Sequence, residues 1–142
     1  MASGIYTSFL RDLALGNINV DTDNLRVMLV GAAYTEDFDA HSKRNQVTNE
    51  VSGTGYTTKG AVCDGVVSVV DTVNNRVALT FNAVSWPAST ITARKAVIYK
   101  DRGGASSADE LIACIDFGTD QVSSNGTFTL SASTINLNNQ NG

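Results

Sequence analysis

Proline, histidine and tryptophan occur once each in this chain of 142 residues, and cysteine twice. Each scarcity excludes something. Catalysis by a serine, histidine and aspartate would have to run through His41, which sits in no nucleophile-elbow pattern and is expected to be solvated or interfacial. Cys63 and Cys114 form no CxxC pair and have no histidine beside them, so they give no metal site and read as a reduced, buried pair. Pro87 follows Asn82–Trp86 and is expected to end any strand ladder there. Basic residues are outnumbered, with ten Lys and Arg against fourteen Asp and Glu, a net charge of −4. A nucleic-acid-binding domain would show a basic face, which this balance argues against. No apolar run approaches the roughly 20 residues that cross a bilayer. The start, Met1-Ala2-Ser3-Gly4-Ile5-Tyr6, carries no basic segment before an apolar core, which predicts synthesis and assembly in a cytoplasm.

What is present is strand pattern. Thr90–Asp101 turns apolar on both faces at Ala96-Val97-Ile98-Tyr99, as a central strand does. Leu111–Gly118 behaves the same way and is its expected antiparallel neighbour, across a polar loop at Gly103–Asp109. In Leu25–Val30, Leu25, Val27 and Leu29 share one face, with Met28 and Val30 beside Arg26 on the other. Ala61–Val70 is a valine-rich strand. Asn74-Asn75 suits a two-residue turn into Arg76–Phe81, whose Val77, Leu79 and Phe81 face inward. Asn125-Gly126 predicts a hairpin joining Gln121–Ser123 to Thr127–Ser131, and Ile135 and Leu137 mark a terminal strand. About eight strands at this spacing predict a mainly antiparallel all-β fold, a β-sandwich or barrel. It is expected as one domain over 1–142, with a frayed tail over 138–142. At this length roughly two thirds of the unfolded surface can be buried.

Tyr6, Phe9, Leu10 and Leu13 fall at helical spacing, predicting one short helix from about residue 4 to 15 inside an N-terminal arm, 1–16. Ser3 is placed to cap its start and Gly16 its end. So short a helix has to dock on a sheet or a neighbouring subunit. Gly31–Gly60 is the least regular part, and a long irregular stretch is more often functional or interfacial than idle. Gly53–Gly60 lacks the Gly-Lys-Ser/Thr order of a phosphate loop and reads as a glycine turn feeding a strand. The pairs Asp21/Asp23 and Asp37/Asp39 lack the ligand spacing of a calcium loop; the first caps the turn before Leu25 and the second belongs to an acidic patch. Trp86, Phe38, Tyr34 and Tyr56 either close the sandwich ends or anchor a neighbouring subunit.

Three stretches carry a family resemblance: Asn49-Glu50-Val51-Ser52-Gly53-Thr54-Gly55-Tyr56, Ala93–Asp101 and Leu111–Gly118. With the opening Gly4–Phe9, they make the chain resemble a group of small tailed-bacteriophage virion proteins along nearly its whole length. Lys95 and Cys114 stand where those proteins carry aromatics. The resemblance implies a structural role without catalytic residues or cofactors, most simply a capsid decoration or cement protein on the outside of the head. Its implied partners are the major capsid protein and its own copies, with a trimer the natural state and neither nucleic acid nor membrane involved. Tyr6, Phe9, Leu10, Leu13, Tyr34, Phe38 and Tyr56 are the candidate interface residues. A tail or fibre-attachment component is the alternative, followed by a carbohydrate- or host-binding module with Trp86 as its platform; an enzyme comes last.

Overall fold

A computed structural model describes residues 3–139. The chain is all-β, built from antiparallel strands in two sheets, with one α-helix among the described residues. The strands are β1 (Gly4–Ile5), β2 (Leu25–Val30), β3 (Ala61–Val62), β4 (Val67–Asp71), β5 (Arg76–Phe81), β6 (Val84–Lys100), β7 (Leu111–Leu130) and β8 (Ser133–Asn138). The helix α1 covers Thr7–Ala14. The larger sheet runs β1-β7-β6-β2-β3 and the smaller β4-β5-β8, giving a sandwich-like arrangement.

β6 is the central strand of the larger sheet, flanked by β7 and β2 in antiparallel register. Its apolar run is buried on both faces, as the pattern at Ala96–Tyr99 predicts. Toward the smaller sheet, Leu25, Val27 and Leu29 of β2, Ala96 and Ile98 of β6, and Ala113 of β7 pack with Leu79 and Phe81 of β5. On the opposite face Met28, Val30, Val97, Tyr99, Leu111 and Cys114 meet Tyr6 and Tyr34, with Phe38 and Val47 against them. That second cover is the irregular segment after β2. Each fully buried aliphatic side chain contributes about 1.5–3 kcal/mol, so the loop is part of the core rather than an ornament on it. Cys63 and Cys114 are both buried and unpaired with one another. Burial pushes each thiol up to about 12.

Several local expectations are corrected. The helix begins at Thr7, not Gly4, because Gly4 and Ile5 pair with Cys114 and Ala113 as a short edge strand. Ser3 accordingly caps nothing in the helix; its hydroxyl accepts from the Asp116 amide at 2.9 Å. Gly16 does end the helix, with φ +77° and its N–H donating to the Leu13 carbonyl. The valine-rich stretch Ala61–Val70 is not one strand: Cys63–Val66 separates β3 from β4, which belong to different sheets. Asp71 and Arg76 pair across a four-residue turn, with Asn75 alone of the asparagine pair at positive φ.

Neither Pro87 nor Asn125-Gly126 breaks its strand. The β6–β7 ladder is interrupted between Trp86 and Ser89 and again before Ile91, then resumes. Buried hydroxyls replace the lost ladder bonds: Ser89 Oγ donates to the Gly126 carbonyl at 3.0 Å and meets Ser123 Oγ at 2.8 Å. Ser123 Oγ in turn accepts from the Ile91 amide. The positive φ of Ala88 and Asn125 absorbs the extra residues of a bulge, and β7 runs through where a hairpin is expected. Of the tail expected to fray, Asn138 pairs with Arg76 at the end of β8, while 140–142 lie outside the described residues.

Gly60 gives the most direct test of this packing. Its φ is +77°, and a Cβ there would drive into the Val27 carbonyl and the Met28 Cα of β2. Gly60→Ala is expected to lower unfolding stability by roughly 2 kcal/mol or more, read from denaturant midpoints, whereas Gly103→Ala, with open space around it, has only its backbone conformation to strain.

Candidate assembly surface

The side chains expected to meet a partner are mostly engaged inside the chain. Tyr6, Phe9 and Tyr34 are completely or almost completely buried. Tyr6 and Tyr34 share a buried hydroxyl contact of 2.8 Å, and Tyr6 packs on Phe38 with ring centroids 5.3 Å apart. Burial and this contact raise the Tyr6 phenol far above its ordinary range, and burial raises Tyr34 to about 12. Leu13 and Tyr56 pack against the main core cluster. The Tyr56 hydroxyl donates to Glu50 at 2.6 Å while accepting from the Leu29 amide, so it pins the loop to β2. Of the seven candidates, Leu10 alone remains a large exposed apolar side chain, on the outer face of α1. Tyr6, Phe9 and Leu13 of the helical stripe are covered by the chain itself, and Leu10 faces outward.

Trp86 is also buried, in an aromatic cluster with Tyr56 at 6.0 Å and Phe128 at 5.9 Å. It closes the core and presents no open ring for a sugar. Asp37 is spent on its own turn, accepting from the Asp39 and Ala40 amides, which hold its carboxyl below the usual carboxylate range. Asp23 accepts from the Asn19 amide and pairs with Lys100 at 2.9 Å. Among the described residues no three His, Cys, Asp or Glu side chains gather where they could hold a metal ion. Gly53 and Gly55 form a turn pressed against the β6 bulge, where the Thr90 amide donates to the Thr54 carbonyl at 2.9 Å.

Charge concentrates at the end where β6 passes into β7. Asp101 pairs with Arg26 at 3.0 Å and Lys59 at 3.3 Å. Glu110 pairs with Arg102 at 2.7 Å and Lys43 at 3.5 Å. Asp109, fully buried, accepts from Arg44 Nε at 2.7 Å and from the Arg102 amide. Its two acceptors are met within the chain, so this cluster anchors the Lys43–Gln46 segment over Tyr99 rather than recruiting a ligand.

Beyond single exposed side chains such as Leu15, Val62 and Val122, exposed apolar surface gathers on the smaller sheet. Val67, Val69, Val70 and Val73 are 57, 51, 72 and 87 % exposed. They belong to β4 and the turn after it. β4 is an outer strand of the sheet, and β8 is the other. Natural edge strands are usually blunted by lysine, proline or a bulge. β4 has none of these: its sequence is Val-Ser-Val-Val-Asp, and Asp71 is compensated by Arg76 at 3.0 Å. β8, Ser-Thr-Ile-Asn-Leu-Asn, carries no charge at all. Beside β8 the sandwich is open. One groove of about 500 Å³ is lined by Ile115, Phe117, Phe128 and Leu130, and another of about 360 Å³ by Ile5, Ile115 and Ile135. The valine run is visible in the sequence, but that it forms an unprotected edge follows only from the topology.

No family model matches the chain, and neither the curated proteins nor the solved structures contain a match to it.

If Arg44 serves to neutralise Asp109, removing it should be costly. Arg44→Met leaves a buried carboxylate without its cation and is expected to destabilise the fold by about 3 kcal/mol. The double change Arg44→Met with Asp109→Asn should recover part of that loss, as a denaturation cycle over the four proteins would measure.

Proposed function

We propose that this chain is a structural component of a tailed-phage virion, a decoration or cement protein that binds the exterior of the capsid and its own copies. The resemblance along nearly the whole chain suggests the class. The observation that carries the reading is the smaller sheet, whose two outer strands are unprotected and almost uncharged, with valines exposed on one of them. In a chain of net charge −4, copies repel one another over most of their surface, and a neutral sheet edge is where they can approach.

An edge on each side of one sheet also suggests a geometry. Pairing β4 of one copy with β8 of the next is a heterologous contact, and heterologous contacts close into rings when the rotation allows. A trimer is the small ring that suits three-fold positions of a shell. The bond is modest for one copy, since a five-residue edge is far smaller than a standard interface. Repetition over a symmetric shell multiplies it. The major capsid protein is the proposed second partner. A tail or fibre-attachment component would use the same edges with a different partner and a small copy number.

Quantitative mass spectrometry of purified virions tests the assignment. A copy number comparable with that of the major capsid protein is expected; a few copies per particle would indicate the tail, and absence would refute the structural role. Val69→Lys places a charge on β4 without touching the core. It is expected to lower self-association by roughly tenfold or more in sedimentation velocity, with thermal stability unchanged within about 0.5 kcal/mol.

A further inference from the structure

The single histidine closes a turn through its Nδ1. His41 and Asp37 bracket each other: the His41 amide donates to the Asp37 carbonyl at 2.9 Å, and the Asp37 amide donates to His41 Nδ1 at 3.3 Å. Asp37 Oδ1 meanwhile accepts from the Ala40 and Asp39 amides at 2.9 and 3.0 Å. The arrangement has the reciprocal logic of a capping box, with the imidazole as the returning acceptor. The ring also stacks on Tyr34, centroids 5.8 Å apart, and its Nδ1 lies 3.1 Å from the Tyr34 hydroxyl. One in-plane lone pair thus serves two neighbours, which fits the length of both contacts.

A backbone N–H can only donate. Because it points at Nδ1, that nitrogen must be the unprotonated one, and the neutral ring carries its hydrogen on Nε2. The two tyrosines have more freedom. If Nδ1 gains a proton, the Tyr34 hydroxyl can accept it and turn its own hydrogen toward Tyr6. The Asp37 amide cannot reverse its role and has to exchange this exposed contact for one with solvent.

We propose that His41 is a pH-sensitive latch on the Asp37–His41 turn, which it closes beside the start of α1 and loosens on acidification. The turn it closes is tied directly to the start of α1: the Thr7 amide donates to the Phe38 carbonyl at 2.8 Å, and the Thr7 hydroxyl donates to Asp39 at 2.7 Å. Loosening the turn therefore loosens the seam between the loop and the N-terminal segment. Beneath it lie Tyr6, Tyr34 and Cys114 of the outer core cluster.

The groups around His41 divide into two sets. Its own loop brings the carboxylates Asp37, Asp39 and Glu36. From β6 comes the cation Lys95: its amine donates to the Tyr34 carbonyl at 2.9 Å, pairs with Glu36 and lies over the Tyr34 ring. Tyr6, preceding α1, and Cys114, from β7, are neutral, with pKa values raised by burial. Glu36 is thus matched by Lys95 and Asp39 is occupied by Thr7. Asp37 is the remaining attraction, and its carboxylate is in solvent with one oxygen already bonded to two amides. A solvated carboxylate offsets little, so the lost Asp37 amide bond decides the direction: acid opens the latch.

Amide hydrogen exchange on the full chain, corrected for the intrinsic rate, tests this at about pH 7.5 and about pH 5, a window in which histidine is the side chain that ordinarily titrates. Protection at Asp37 and His41 is expected to fall by about tenfold at the lower pH, the loss of roughly one hydrogen bond, while Val27 in β2 stays unchanged. His41→Asn keeps an acceptor near the Nδ1 position and cannot titrate, so its protection should not depend on pH. Equal or greater protection of the native chain in acid would overturn the latch, as would the same loss in His41→Asn. Should that variant not fold, the imidazole ¹⁵N shifts of the native chain decide: Nδ1 must report an unprotonated acceptor at the higher pH, and a proton on Nδ1 there refutes the proposal.

Discussion

The β6–β7 pair, apolar on both faces where Ala96–Tyr99 meets Leu111–Ile115, is the constraint on which the rest of the molecule depends. Two faces require two covers, and the chain spends most of its remaining length supplying them. The smaller sheet brings Leu79 and Phe81 to one face. Tyr6, Tyr34, Phe38 and Val47 come over the other. The irregular segment crosses the sheet and pairs with it only at isolated bridges, Glu50 with Val30 and Lys43 with Glu110. Others of its polar groups are met by side chains, through Tyr56 and Glu50, Gln46 and Ser42, and Arg44 and Asp109.

The same economy explains why so few of the expected interface residues face outward. An aromatic in a stretch without strand periodicity looks available for a neighbour when the sequence alone is read. In three dimensions Tyr34 and Tyr6 lie under the loop that carries one of them, with their hydroxyls bonded. The densest group of exposed apolar side chains is on the thinner side of the sandwich. There the smaller sheet ends in β4 and β8, and neither edge carries an uncompensated charge. Ion pairs gather instead around the β6–β7 connection, where Asp101, Asp109 and Glu110 are all paired.

Patterns with a strong local cause were legible. Alternation in Leu25–Val30 assigns Leu25, Val27 and Leu29 to one face and Met28 and Val30 to the other, and the core clusters divide in that way. The two-faced runs at Ala96–Tyr99 and Leu111–Ile115 identify the central pair and its antiparallel sense. What depended on distant partners was not legible. Asn125-Gly126 has the chemistry of a hairpin, but Ser89 and Ser123 mend the ladder across it, and those serines are more than 30 positions apart. Gly4 and Ile5 fall inside the helix expected from about residue 4, until β7 offers them a ladder. Valines 67, 69 and 70 look like core because valine usually is; only the strand order places them at an edge.

The central claim is that the edges of the smaller sheet are where this chain meets its neighbours. Hydrogen exchange measured on the isolated protein and on the same protein within assembled particles addresses it most directly. Added protection in the particle is predicted at Val67–Asp71 and Ser133–Asn138, with the already paired amides of Leu25–Val30 unaltered. Protection that appeared instead on the outer face of α1, leaving both edges exchanging as in the free protein, would contradict the account.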